Sequence, residues 1–147
     1  LKSIVGKIKE LSEIYDERGA RIIADHIRAS VFIISDGIMP SNVEQGYVLR
    51  RLIRRAIRYG KKLGIKGSFT HKIAGIIEIE NKDFVIEQLT QEEEKFGKTL
   101  EKGLKEFEKK SFAEKSLSET AFYFFSTLGF PLEMFLEELK NKGIKYD

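Results

Sequence analysis

The chain has 147 residues, of which 41% are hydrophobic and 33% charged, and it contains no cysteine. This composition is typical of a globular protein with a real core and excludes a disordered chain, a disulfide framework and a thiolate metal site. The sequence has no apolar run long enough to span a membrane. The net charge of +3 conceals an uneven distribution, because residues 38–66 alone carry eight cations and one anion.

Hydrophobic residues recur with helical spacing in the first part of the chain and predict two helices. The first covers residues 2–14, and the second runs from about Glu17 to Ser35, where Asp36-Gly37 ends it with Gly37 as the left-handed cap. The chain begins with leucine and shows no signal peptide. We therefore expect a segment of a longer chain in a cytoplasmic protein, a location that the absence of cysteine also favours.

The third predicted helix is the most strongly sorted part of the chain. Pro40-Ser41-Asn42 has turn chemistry, so Ser41 or Asn42 is expected to cap this helix, and Gly46 permits close backbone approach near its start. With about 100° of rotation per residue, the cations fall opposite an apolar face, and the angles place Arg51, Arg54 and Arg58 furthest outward. No acid and seven cations lie between positions 50 and 62: Arg50, Arg51, Arg54, Arg55, Arg58, Lys61 and Lys62.

Two interpretations of this basic helix remain open. Its exposed face suits a polyanion, and arginine is the better bidentate phosphate ligand, which favours nucleic acid. The same cations are also compatible with a solvated face, or with salt bridges to the acidic helix that follows. His26 is interpreted as a partner in a packed polar network near this helix. The two histidines, the absence of cysteine and the absence of a nucleotide-binding motif predict neither a catalytic nor a metal site in the chain.

The second part of the chain predicts further helices. Ser68 is expected to cap a short apolar helix over Phe69–Ile79, and Asn81 or Asp83 to begin a long, half-exposed helix that reaches about Lys110. The Glu and Lys residues of the long helix are expected to form a solvated face. Its apolar stripe is predicted to comprise Phe84, Leu89, Phe96, Leu100, Leu104 and Phe107.

Two short helices are predicted to end the chain as a helical hairpin. Ser116 or Ser118 begins the first, which covers Glu119–Leu128, and Pro131 opens the second, which covers Leu132–Asn141 before Gly143. The sequence thus predicts an all-α fold with an Arg-rich helix, a long charged helix and a C-terminal hairpin. It predicts one domain over 1–147, divisible into two helical halves, about 1–66 and 67–147.

Four stretches of the sequence stand out as motifs. They are Ala24-Asp25-His26-Ile27-Arg28-Ala29, Asp36-Gly37-Ile38-Met39-Pro40-Ser41-Asn42, Gly46-Tyr47-Val48-Leu49-Arg50-Arg51-Leu52-Ile53-Arg54-Arg55-Ala56, and a closing motif from Ala121 through Thr127 to Gly129-Phe130-Pro131-Leu132. Together they resemble the middle, tRNA-recognising domain of the alanyl-tRNA synthetases. They occur in the family's order, with a long charged helix before the last, and the resemblance covers essentially the whole chain.

The resemblance implies a helical fragment that holds the acceptor stem of alanine tRNA. The family consists of class II ligases that join alanine to its tRNA using ATP. It implies a catalytic domain upstream and a zinc-binding editing domain downstream, so ATP, Mg and Zn are expected for the full-length enzyme. No cofactor, metal or catalytic residue is expected in this fragment.

The resemblance also implies roles for individual residues. Asn42 matches the asparagine that helps recognise a G·U wobble pair, and the basic residues of the third helix are candidate backbone contacts. Ser126 stands where the family usually has aspartate, the second reader of that pair, and Gln45 stands where many relatives have arginine. Two other functions remain open: a stand-alone RNA-binding module, and a structural domain whose basic face docks on the acidic long helix or on another protein.

Overall fold

The computed structural model describes residues 2–109 and 117–145, which form seven α-helices and no β-strand. The prediction of an all-α fold is confirmed. No helix within these described ranges is long and apolar enough to cross a membrane. The helices are α1 (Lys2–Leu11), α2 (Glu17–Ser35), α3 (Glu44–Lys62), α4 (Thr70–Ala74), α5 (Lys82–Lys109), α6 (Leu117–Leu128) and α7 (Leu132–Asn141).

The chain divides into two compact units, residues 1–95 and 96–147. The division falls within α5, between Lys95 and Phe96. The first part of α5 belongs to the first unit, within which Glu92 and Glu93 bond to residues of α3 and α4. The division of the domain into two helical halves near residue 66 stays a prediction.

The core of the first unit lies between α2 and α3. Each helix turns an apolar stripe toward the other, and each fully buried aliphatic side chain stabilises the fold by about 1.5–3 kcal/mol. Asp16 caps α2, since its Oδ2 accepts a hydrogen bond from the backbone N of Gly19 at 2.7 Å. Gly37, with φ of 98°, ends α2 as predicted. Fully buried core residues on the two helices include Ile23, Ile27, Val31, Ile34, Leu49, Ile53 and Ala56.

The start of α3 differs from the prediction. Val43 is the N-cap, and no side chain caps the helix, so the prediction of a cap by Ser41 or Asn42 is wrong. The Ser41 hydroxyl instead donates to Val43 O at 3.1 Å, and the amide of Asn42 is engaged elsewhere. The expected close approach at Gly46 is confirmed, because a Cβ there would lie only 2.7 Å from Met39 O.

The short helix α4 also begins differently from the prediction. It covers only Thr70–Ala74, and Ser68 does not cap it, because Phe69 is its N-cap. The free N–H groups at its start are satisfied by a distant carboxylate: Glu93 accepts from Phe69 N at 3.0 Å and from Thr70 N at 3.1 Å. A helix this short therefore depends on α5 for its N-terminal hydrogen bonds.

The core of the second unit is aromatic. Phe124 contacts the rings of Phe107, Phe130 and Phe135, with centroid separations of 5.7, 5.4 and 5.2 Å. The predicted hairpin is confirmed, with Pro131 as the N-cap of α7 and the backbone N of Phe130 donating to Phe124 O at 2.9 Å. The predicted start of α6 at Ser116 lies outside the described residues, whereas Ser118 lies within α6 and does not precede it.

Candidate functional site

The arginines of α3 are more buried than predicted. Arg54 is 7% exposed and Arg58 is fully buried, so the prediction that these two point furthest outward is wrong. Helical angles predict which side of a helix faces solvent only when the helix packs against other elements on one side. Here α3 is buried all round from Ala56 to Gly60, where the absence of a side chain on Gly60 admits the ring of Phe69.

Two of these arginines form a buried ionic network with Glu92 of α5. Arg50 donates from Nε to Oε2 at 3.0 Å and from Nη2 to Oε1 at 3.3 Å. Arg54 donates from Nε to the same Oε2 at 2.6 Å. Burial lowers the pKa of Arg54, an effect that the charge and hydrogen bond of Glu92 oppose. Of the interpretations left open above, salt bridges to the acidic helix are therefore formed by Arg50 and Arg54.

The remaining nitrogen of Arg50 reaches Asn42. Its Nη1 donates to Asn42 Oδ1 at 2.8 Å, and Asn42 is exposed in the loop before α3. Because a guanidinium can only donate, this bond identifies the amide oxygen as the atom that faces Arg50 and distinguishes it from the amide nitrogen. Asn42 thus presents a polar group of defined orientation at the protein surface.

His26 of α2 also bonds to α3. Its Nε2 lies 2.9 Å from Nη1 of Arg55, so the imidazole accepts through Nε2 and carries its proton on Nδ1. Burial and the charge of Arg55 lower the pKa of His26 to about 4, against the opposing charge of Asp25. The predicted role of His26 in a packed polar network near the basic helix is confirmed.

Several cations surround the ring of Tyr59. Its hydroxyl accepts a hydrogen bond from Arg18 at 3.3 Å, and Arg58 and Lys62 lie 4.8 and 5.6 Å from the ring centroid. Burial alone raises the pKa of Tyr59, but the hydrogen bond from Arg18 and the nearby charges outweigh it and lower that pKa below its usual value. The hydroxyl and ring of Tyr59 therefore bind cations of α2 and α3 by a hydrogen bond and cation–π contacts.

The basic residues of α3 that reach solvent share only Arg51 with the three that were predicted to point furthest outward. Lys61 and Lys62 are exposed, while Arg51 and Arg55 are half-buried. Arg51 stacks on Tyr47, with its guanidinium carbon 5.2 Å from the ring centroid. These four basic residues form what we call the outer basic surface.

Ser126 lies on α6, in the second unit, whereas Asn42 belongs to the first. The Ser126 side chain is exposed, and its hydroxyl donates to Phe122 O, one helical turn earlier, at 2.7 Å. Phe122 is itself 69% exposed. Ser126 therefore sits at a surface position where a longer polar side chain has room to extend.

The sequence matches one family along its full length. Residues 1–147 all match the family described as tRNA synthetases class II (A). The chain belongs to this family. This match confirms the resemblance to the synthetases, and it covers the whole chain.

Several curated relatives of this synthetase chain carry the name alanine–tRNA ligase. The one from Elusimicrobium minutum is 45% identical over 161 residues, covering 100% of this chain and 18% of the relative. The one from Borreliella afzelii is 46% identical over 162 residues, covering 100% of this chain and 27% of the relative. That from Thermotoga sp. strain RQ2 is 43% identical over 164 residues, with 98% and 19% covered. The chain thus spans 18% to 27% of these relatives' length.

Glu92 is the residue of the buried ionic network that sequence reasoning missed. It was assigned to a solvated face, yet its side chain is 2% exposed. A signal was present in the stripe of α5, because Glu92 lies three residues after Leu89 and four before Phe96, a spacing that places it on the same face. An acid on a buried stripe needs a cationic partner, and the neighbouring arginine-rich helix offers several.

Proposed function

We propose that this chain is the part of an alanine–tRNA ligase that binds the acceptor stem of alanine tRNA, with Asn42 reading its G·U pair. The observation that carries the proposal is the state of Asn42. It is exposed, it caps no helix, and its amide is held by Arg50 at 2.8 Å. Membership of the synthetase family and the names of the relatives support the same function.

The chemistry of Asn42 suits this task. A G·U wobble pair leaves the guanine amino group available in the minor groove, which in A-form RNA is wide and shallow enough for a short side chain. The oxygen Oδ1 uses one lone pair for Arg50 and keeps the second for that amino group. The nitrogen Nδ2 can donate to a neighbouring ribose 2′-hydroxyl.

The outer basic surface supplies the phosphate contacts in this proposal. Lys61 and Lys62 are exposed and lie in the last turn of α3. The buried Arg54 and Arg58 and the Glu92-bound Arg50 act within the protein and hold α3 in place. Phosphate contacts position RNA without reading its sequence, so discrimination falls to Asn42, with Ser126 as the second reader that the resemblance implies.

The rest of the enzyme lies outside this chain in the proposal. ATP-dependent joining of alanine to tRNA belongs to a catalytic domain upstream, and editing to a domain downstream. ATP and Mg belong to the first activity and Zn to the second. All of these functions operate together in the cytoplasm.

The test is binding of this chain to an acceptor-stem hairpin that carries either the G·U pair or a G·C pair in its place. Both are titrated at physiological salt against the chain and against Asn42→Ala. We expect the chain to prefer the G·U hairpin by about fivefold to tenfold, as one or two hydrogen bonds permit. The Asn42→Ala variant is expected to bind both hairpins alike.

Two results would favour the other functions. Equal, salt-sensitive binding to both hairpins by the unaltered chain would identify a general RNA-binding module. Affinity no greater than that of a peptide with the α3 sequence would identify a structural domain whose arginines serve only the internal network.

A further inference from the structure

We propose that Glu92 and Arg50 form a positioning pair that fixes the amide of Asn42 for base reading. A buried carboxylate on α5 would thereby set the specificity of an exposed side chain before α3. The inference rests on the proposed function, because it names the residues on which that function's selectivity depends. Neither residue needs to touch RNA.

The guanidinium of Arg50 connects the carboxylate of Glu92 to the amide of Asn42. One edge, Nε and Nη2, bonds to the two carboxylate oxygens of Glu92 at 3.0 and 3.3 Å. The opposite nitrogen, Nη1, bonds to Asn42 Oδ1 at 2.8 Å. Since the guanidinium is planar and rigid, docking one edge on the carboxylate fixes the direction in which Nη1 points.

Glu92 is itself held in one orientation. Its side chain is 2% exposed, and Arg54 donates to its Oε2 at 2.6 Å from a side chain that is 9% exposed. Charge-assisted hydrogen bonds of this length in a low-dielectric site are among the strongest in proteins. The carboxylate therefore provides a rigid base for Arg50, whose own side chain is only 16% exposed.

The consequence for Asn42 is preorganisation. An exposed asparagine samples several rotamers, and rotation of its amide by 180° exchanges donor and acceptor. The bond from Arg50 selects, before RNA arrives, the orientation in which Oδ1 accepts from Nη1 and keeps its second lone pair for the guanine amino group. Binding then avoids the entropy cost of ordering this side chain, and the reversed amide that would suit another base pair is disfavoured.

The experiment compares Arg50→Lys with the unaltered chain. Lysine keeps the positive charge and reaches Glu92, but its compact ammonium cannot bond the carboxylate by a rigid edge and direct a third donor at Asn42. We prefer it to Glu92→Gln, which leaves two arginines without their carboxylate and risks unfolding. The matched control is Arg21→Lys, which makes the same exchange on the exposed face of α2, where Arg21 pairs with Glu17 at 3.9 Å.

Two measurements are made on each protein. The first is the ratio of affinities for the G·U and G·C hairpins, in the presence of Asn42 and in the Asn42→Ala background. The second is the order parameter of the Asn42 side-chain amide by ¹⁵N relaxation in the absence of RNA. We expect Arg50→Lys to lower the ratio by about fivefold and to lower the order parameter, with no effect on the ratio once Asn42 is alanine. Arg21→Lys is expected to change neither.

The outcomes separate this inference from the proposed function. If the unaltered chain prefers G·U and Arg50→Lys retains that preference with an equally ordered amide, the positioning pair is overturned and the proposed function stands. If Arg50→Lys weakens binding to both hairpins equally, Arg50 is a phosphate ligand and the positioning pair is again overturned. If the unaltered chain does not distinguish the hairpins, the proposed function fails and takes the inference with it.

Discussion

Nε2 of His26 lies 2.9 Å from Nη1 of Arg55, so an imidazole on α2 accepts a hydrogen bond from a guanidinium on α3. This arrangement requires a neutral imidazole, and the pKa of His26 is accordingly lowered from 6.5 to about 4. The unfolded chain therefore binds more protons than the folded chain between these two pH values. The stability that this pair contributes is complete above pH 6.5 and is lost as the pH falls toward 4.

We expect the free energy of unfolding to fall by about 1–2 kcal/mol across this window through His26 alone, a value reduced for its partial exposure. The His26→Gln variant keeps an acceptor near the position of Nε2 and does not titrate. Urea unfolding from pH 7.5 to 4 is to be measured for both proteins, so that carboxylates common to both cancel. Parallel stability curves for the two proteins would contradict the assignment.

The burial of Arg54 leads to a second prediction, about the salt dependence of RNA binding. Arg54→Met leaves Glu92 with one partner and is expected to cost about 2–4 kcal/mol of stability while leaving the salt slope of binding unchanged. Lys61→Gln and Lys62→Gln are expected to do the reverse. They alter stability by less than about 0.5 kcal/mol and lower the slope by about 0.9 for each phosphate that the variant no longer neutralises.

The measurements are hairpin titrations between low and physiological salt, with urea unfolding of each variant alongside. Variants are compared only at temperatures where all remain folded. A slope that falls in Arg54→Met but not in the lysine variants would reverse our division between internal arginines and the outer basic surface.

Those parts of the fold that depend on residues close in sequence could be predicted. The bounds of α2 follow from its apolar spacing and from Asp36-Gly37, and those of α7 from Pro131 and Gly143. Such signals act within one or two turns of the chain, so a single sequence contains them in full.

Interactions between distant residues could not be predicted in the same way. Arg50 and Glu92 are 42 positions apart, and although the stripe of α5 marks Glu92 as buried, the sequence does not indicate which arginines it pairs with. The cap that Glu93 provides for α4, 24 positions away at Phe69, is of the same kind. The family resemblance implied that Asn42 reads a base pair and that Arg50 contacts the RNA backbone, but it gave no indication that Arg50 and Glu92 hold the Asn42 amide.

The third prediction is about the remote cap of α4. Glu93 accepts from Thr70 Oγ1 at 2.6 Å and from the backbone N of Thr70 at 3.1 Å, as well as from Phe69 N. Glu93→Gln replaces one accepting oxygen with a donor, so we expect a loss of about 1–3 kcal/mol. Glu94→Gln removes an equal charge from the adjacent exposed position and is expected to be nearly neutral.

Amide hydrogen exchange tests where this effect acts. Exchange of the amides of Phe69 and Thr70 should accelerate in Glu93→Gln beyond the change in global stability, and remain slow in Glu94→Gln. Uniform acceleration across α2 and α3 would mean that Glu93 supports the whole unit and not the start of α4.

The fourth prediction is about the turn that carries Asn42. Gly46 faces this turn so closely that a Cβ would lie 2.7 Å from Met39 O and would also meet the Ser41 hydroxyl. Because Met39 O is a backbone atom, the turn itself must shift. We expect Gly46→Ala to destabilise the protein by about 1–3 kcal/mol and to reduce the preference for a G·U hairpin.

Two further variants control this prediction. A Cβ at Gly6 on α1 meets nothing within 4 Å, so Gly6→Ala is expected to stabilise the protein by up to about 1 kcal/mol through helix propensity. Adding Ser41→Gly to Gly46→Ala removes the hydroxyl clash but not the clash with Met39 O. Full recovery of stability in that double variant would show that the clash with the Ser41 side chain, and not the clash with the Met39 backbone, causes the loss.

The last prediction is about Ser126, which the resemblance matches to an aspartate that reads the G·U pair. We expect Ser126→Asp to increase the preference for the G·U hairpin, because a carboxylate accepts more strongly from a guanine amino group than a hydroxyl does. The same change should cost about 0.3–1 kcal/mol of stability, since position 126 lies near the C-terminal end of α6, where negative charge is unfavourable.

Ser126→Asn separates these two effects, because it has the shape of aspartate without its charge. The stability cost should be absent in Ser126→Asn and should shrink at high salt in Ser126→Asp. A gain in preference with aspartate only would identify charge as the feature that serine lacks. An unchanged preference in both variants would mean that position 126 does not meet the base pair, and that Asn42 reads it without a second side chain from α6.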